Sequence, residues 1–102
     1  MFYILIAASP VTKGMKLGER IRLSCFPDLK PDLNRRQFQW LINGTVVRPT
    51  DRIQFRKRNT VLKMKDATRR DIGEYTCQEI TNNIKKEVIV YKVEFGKFFA
   101  TF

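Results

Sequence analysis

The chain has no histidine. That removes the side chain most often used as a general base near neutral pH, which is also the commonest metal ligand. Negative charge is scarce too: ten Asp and Glu stand against twenty Lys and Arg in 102 residues. The carboxylates are scattered. No pair is placed for acid–base work, no glycine-rich loop could cradle a phosphate, and no cluster has metal-ligand spacing. Catalysis needs a placed base, nucleophile or metal. None can be nominated, so the sequence predicts a protein that is not an enzyme and that carries neither cofactor nor metal. There is also no run of about twenty apolar residues, which leaves no transmembrane helix within these residues.

Cysteine is limited to Cys25 and Cys77. If the two pair, closing a loop of about fifty residues adds roughly 4 kcal/mol through chain entropy and indicates an oxidising compartment. Left reduced, they fit the cytosol, and the count alone does not decide. A staple would matter at this size, because a chain of 102 residues is one domain with a thin core.

What the chain has in excess is positive charge, +10 at pH 7. Such a balance predicts attraction to polyanions: heparan-type glycosaminoglycans, an anionic membrane surface, nucleic acid or an acidic protein. The plain alternative is a basic surface that serves solubility. Aromatic residues do not interleave with the basic positions, so the stacking platforms that hold single strands are missing and specific nucleic-acid binding is not expected.

Hydrophobic alternation is short and broken by turn signals throughout, with no long helical period. Residues 3–7 read as a first strand, A, in preference to the end of a signal peptide, since no basic region precedes a rather short apolar stretch. Pro10 interrupts it, and the chain resumes over residues 11–16. Strand B is expected over residues 19–26, strand C over 37–42, D over 53–56, E over 61–65, F over 74–80 and G over 85–95. Asn43-Gly44 is a strong hairpin signal leading into a short strand C′ at 46–48. Residues 27–36 form the B–C loop, and Leu29 and Leu33 in it, with Phe26 just before it, are expected to tuck into the end of the fold. Residues 67–71 form a helical turn. The domain fills residues 1–102, with a core over about 10–95 and an apolar tail at 96–102.

Four motifs recur in a telling order: Gly18-Glu19 ahead of Leu23-x-Cys25, Trp40-Leu41-Ile42-Asn43-Gly44, Val61-Leu62-Lys63-Met64, and Asp71-x-Gly73-x-Tyr75-x-Cys77. Together they resemble an immunoglobulin superfamily domain of the intermediate (I-set) type, over about residues 10–95. The resemblance implies an all-β sandwich of two antiparallel sheets, A-B-E-D and C-F-G with a short C′, joined by a disulfide between Cys25 and Cys77. It implies that Trp40 packs against that bridge and that Tyr75 forms a tyrosine corner. Gly73 would supply conformational freedom there, and Asp71 would pair with Arg52. All of these are structural roles.

Binding therefore has to be sought on the faces. Alternation points Arg20, Arg22, Lys63, Lys65 and Arg56 outward from one sheet together with Gln54, and Arg58 lies nearby. These form the candidate polyanion-binding surface, suited to heparan sulfate. Gln37, Gln39, Leu41, Thr76 and Gln78 face outward from the other sheet, which is nearly neutral. Strand G has apolar residues on both of its faces, so that sheet suits a protein partner, a second copy included, unless Phe98, Phe99 and Phe102 fold back over it. Asn43-Gly44-Thr45 is an N-glycosylation sequon. The expectation is an extracellular or cell-surface recognition module of the adhesion or receptor kind. The alternative is an intracellular structural module of a muscle or cytoskeletal scaffold.

Overall fold

The computed structural model describes residues 10–96. The strand expected at residues 3–7 and the tail carrying Phe98, Phe99 and Phe102 lie outside the described residues. Eight strands form within them: β1 Val11–Met15, β2 Ile21–Ser24, β3 Gln37–Ile42, β4 Thr45–Val46, β5 Ile53–Arg56, β6 Val61–Met64, β7 Gly73–Thr81 and β8 Ile84–Phe95. One sheet has the order β1-β8-β7-β3-β4 and the other β2-β6-β5. The two pack face to face through the inward row of each strand, as period-two alternation requires.

Local chemistry sets the hairpins. Asn43 and Gly44 both take positive φ, 51° and 83°. That is the geometry of a two-residue turn whose twist matches the flanking strands. Thr45 therefore pairs at once with Ile42, and β4 starts one residue before the expected 46–48 and ends at Val46. Asn82 and Asn83, at φ 52° and 67°, do the same between β7 and β8. The turn expected over 67–71 is a 3-10 helix at Arg69–Asp71, capped by Thr68.

One pairing differs from the expected antiparallel pattern. The segment after Pro10, expected to resume strand A, lies on the open edge of β8 and runs parallel to it, Val11 beside Tyr91 and Met15 beside Phe95. Burial fixes this placement, because Met15 is only 2% exposed. A second irregularity corrects the apolar pattern of strand G. A bulge between Cys77 and Gln78 leaves Val88 without a partner, since Cys77 pairs with Ile89 and Gln78 with Glu87. The extra residue lets Val88 and Ile89 both pack on the core. The outward apolar stripe on this strand shrinks to Val90, opposite Thr76.

The core is built around the Cys25–Cys77 disulfide, whose Cα atoms are 5.6 Å apart and which joins the two sheets. Trp40 sits directly across from Cys77 and is 1% exposed. Its ring stacks on Tyr91 at 6.4 Å, and its indole N–H donates to the Asn59 carbonyl at 2.8 Å. Tyr91 in turn donates its hydroxyl to the Ser24 carbonyl at 2.7 Å, a second tie between the sheets. Trp40→Ala is therefore expected to cost about 3–5 kcal/mol, the sum of lost transfer energy and residual cavity. Urea unfolding followed by circular dichroism checks it, and a loss below about 1 kcal/mol would remove Trp40 from the core.

Candidate functional site

The three-stranded sheet presents its polar row outward because Ile21, Leu23, Leu62 and Met64 claim the inward row. Register aligns the outward side chains: Arg22 sits opposite Lys63, and Lys63 opposite Gln54. Arg20 and Lys65 flank this row. The result is a shallow groove of about 340 Å³ lined by Arg20, Arg22, Arg52, Arg56, Lys63 and Lys65, with Asp51 its single acidic residue among the described residues. Five of the six residues expected to form a polyanion surface are thus brought together. Arg58 is not. It lies in a turn of three successive left-handed residues, Lys57, Arg58 and Asn59, and does not line the groove.

The cations of the groove differ in freedom. Arg52 is committed to Asp71, bridging its two carboxylate oxygens at 2.8 and 3.2 Å. The Arg56 guanidinium is steadied by Gln54 Oε1 at 2.8 Å, a neutral acceptor that leaves its charge uncompensated. Arg20, Arg22, Lys63 and Lys65 are exposed and make no ion pair among the described residues.

The corner beneath this face has the roles the resemblance implies. Tyr75 donates its hydroxyl to the Asp71 carbonyl at 2.7 Å. Asp71 also accepts from the Thr68 N–H at 2.8 Å. Gly73 has φ 156°, and a Cβ there would meet the Asn43 side chain at 2.5 Å. That side chain is engaged, its Oδ1 accepting the Glu74 N–H at 2.9 Å. Asn43 is exposed on its hairpin.

Gln37, Gln39, Leu41, Thr76 and Gln78 do share the outward face of the larger sheet, Gln39 opposite Gln78 and Leu41 opposite Thr76. Gln39 donates to Gln78 at 2.8 Å. Val46 and Val90 extend the Leu41–Thr76 row at either end.

Sequence reasoning missed the clasp at the far end of the domain. Arg36 grips Glu79 through two bonds of 2.9 Å, and its guanidinium lies 5.3 Å from the Phe26 ring and 5.4 Å from the Phe38 ring. This holds Glu79 below the usual carboxylate range, chiefly through the Arg36 hydrogen bonds. No local signal pointed to it, since the partners are 43 positions apart.

The profile of the immunoglobulin I-set domain family matches residues 5–95. The chain belongs to the immunoglobulin I-set family. Domains of this type are generally non-catalytic. Among solved structures the chain is similar to murine CEACAM1b, with 25% identity and a TM-score of 0.68, over 85% of this chain and 41% of that one. It is similar to extracellular domains 3–5 of Drosophila OTK, with 22% identity and a TM-score of 0.66, over 83% of this chain and 33% of that one. It is also similar to the titin kinase and its flanking domains, with 16% identity and a TM-score of 0.63, over 83% of this chain and 15% of that one. The chain thus spans less than half the length of each. No curated protein sequence matches it. No helix among the described residues is long and apolar enough to cross a membrane.

Tyr75 gives the corner a pH signature. Burial, with the Asp71 charge adding, pushes its hydroxyl up to about 12, against about 10 in an unfolded chain. The folded state holds this proton more tightly, so the contribution is fully present below pH 10 and is lost as pH rises from about 10 through about 12. The urea midpoint is expected to fall across that window. Tyr75→Phe, which costs about 1 kcal/mol at pH 8 for the lost hydrogen bond, should fall less steeply there. Parallel slopes would show that Tyr75 titrates as an unfolded tyrosine does.

Proposed function

We propose that the domain is a non-catalytic recognition module of an adhesion or receptor-type protein, working outside the cell. It binds protein partners and contacts heparan-type glycosaminoglycan through the three-stranded sheet. The observation that carries this reading is the cation groove itself. Arg22 lies directly opposite Lys63 on adjacent strands, a like-charge pairing that sheets avoid, with a single carboxylate lining the groove to offset it. A sulfated chain laid across the strands would supply the missing counter-charge. Arg pairs with sulfate through its fork and Lys as a point charge. The outward face of Gln37, Gln39, Leu41, Thr76 and Gln78, neutral with a short apolar row, suits a protein partner, a second copy included. A glycan on Asn43 would accord with the same location.

The likeness to titin-flanking domains favours a second reading, an intracellular structural module. The two differ in the state of Cys25 and Cys77 in natively produced protein. A disulfide and a glycan on Asn43 accord with the first, and free thiols with the second.

Binding to a defined heparin oligosaccharide across a salt series tests the groove. The wild type is expected to bind near 0.15 M salt, about the physiological ionic strength. A variant with Arg20→Gln, Arg22→Gln, Lys63→Gln and Lys65→Gln should lose at least about tenfold in affinity and show a shallower salt slope. An equal affinity in the two proteins, or binding confined to low salt, would reduce the charge to a solubility feature.

A further inference from the structure

Val61 departs from the pattern of the basic face. It shares strand parity with Lys63, which is exposed, yet Val61 is only 2% exposed itself. Residues of the B–C segment lie over it at this end of the three-stranded sheet and enclose a second groove of about 320 Å³. Phe26 and Leu33, both packed on the core, join Val61 as its apolar lining. Leu29, expected to tuck in with them, lines the groove too but stands 68% exposed. The charged residues lining it are Arg22, Lys30 and Lys57. All three are exposed, and no acidic side chain lines it among the described residues. Arg22 lines this groove and the sheet groove alike, so the two adjoin.

A purely polyanionic ligand matches the sheet groove but leaves this one unexplained. A sulfated sugar has no large apolar group to set against Phe26, Leu33 and Val61, and an apolar ligand leaves three cations unpaired. We infer that this second groove binds an acidic peptide segment of a protein partner, one large apolar side chain filling the pocket and its flanking Asp or Glu carboxylates meeting Arg22, Lys30 and Lys57. The pairing joins apolar burial, which supplies affinity, to charge complementarity, which supplies rate and selectivity. The inference rests on the reading of the domain as a recognition module, but apart from Arg22 it uses different residues from the glycosaminoglycan face.

The test compares two labelled acidic nonapeptides of equal charge, one with a central Phe and one with a central Ala, by fluorescence anisotropy against the full 102-residue chain at 0.15 M salt. The Phe peptide is expected to bind about tenfold or more tightly than the Ala peptide, the scale of burying one large side chain. Lys30→Glu with Lys57→Glu should abolish binding of both. Leu29→Ser, an uncharged change at an exposed position that spares the core, should bring the Phe peptide towards the Ala level. Arg20→Gln with Lys65→Gln should change peptide affinity by less than about twofold while weakening heparin. Thermal melting of each variant confirms that it is folded. Equal affinity for the two peptides would overturn the inference. So would peptide binding that depends on Arg20 and Lys65 and ignores Leu29. Selective Phe-peptide binding without heparin binding would leave this inference standing and remove the glycosaminoglycan reading.

Discussion

Everything in this domain is hung on the bridge between Cys25 and Cys77. The smaller sheet has three strands of four residues each, and so small a sheet has little backbone pairing of its own to hold it. It is the disulfide, the Trp40 ring opposite Cys77 and the Tyr91 hydroxyl on Ser24 that fasten it to the five-stranded sheet. The bond narrows the unfolded ensemble while the aromatic stack fills the space around it. Trp40 and Tyr91 each keep a polar handle satisfied by a backbone carbonyl, so two large rings are buried without stranding a donor.

The second constraint is how the few carboxylates are used. Asp71 holds several groups at once, and Glu79 holds one guanidinium by two bonds. Asp71 receives Arg52 and the Thr68 N–H through its carboxylate, and its carbonyl takes the Tyr75 hydroxyl. Glu79 receives the fork of Arg36, which is itself laid near two aromatic rings. The other eight carboxylates lie in turns and loops or on the larger sheet, and only Asp51 among the described residues lines the basic groove. The basic groove is therefore a consequence of where the acids went as well as of how many cations the chain carries.

Much of this was legible in the sequence because it is local or has a strong signature. Strands β3 and β5 fall where alternation puts them, over Gln37–Ile42 and Ile53–Arg56. The pairing of Arg52 with Asp71 and the Tyr75 corner follow from the motif. The parallel pairing of β1 was not legible, since nothing local says which edge a strand will join. Neither was the bulge, because Glu87 to Val90 reads equally well in either register until Cys77 fixes one side. The Arg36–Glu79 clasp and the burial of Val61 are long-range facts. Val61 shares the parity of the outward Lys63, and alternation cannot see the loop residues that bury it. The same blindness hid the second groove, whose lining comes from β2, the B–C segment, the turn before β6 and β6 itself.

A sheet face on which Arg22 opposes Lys63, with Arg20, Lys65 and Arg56 around them, repels itself, and each of these charges works slightly against the fold that positions it. Sequences that fold well agree with their structures at every level, and departures from that agreement gather at functional sites. A ligand that neutralises the cluster binds the folded state more tightly than the unfolded one, because only the fold brings the cations together. Such a ligand must raise stability as it binds. The same reasoning sets the neutral sheet apart. In a chain of charge +10, the face of Gln39, Leu41, Thr76 and Gln78 is where a protein surface can approach without meeting a wall of like charge. The two faces thus differ in electrostatics, the smaller sheet crowded with cations and the larger one neutral along Gln39, Leu41, Thr76 and Gln78.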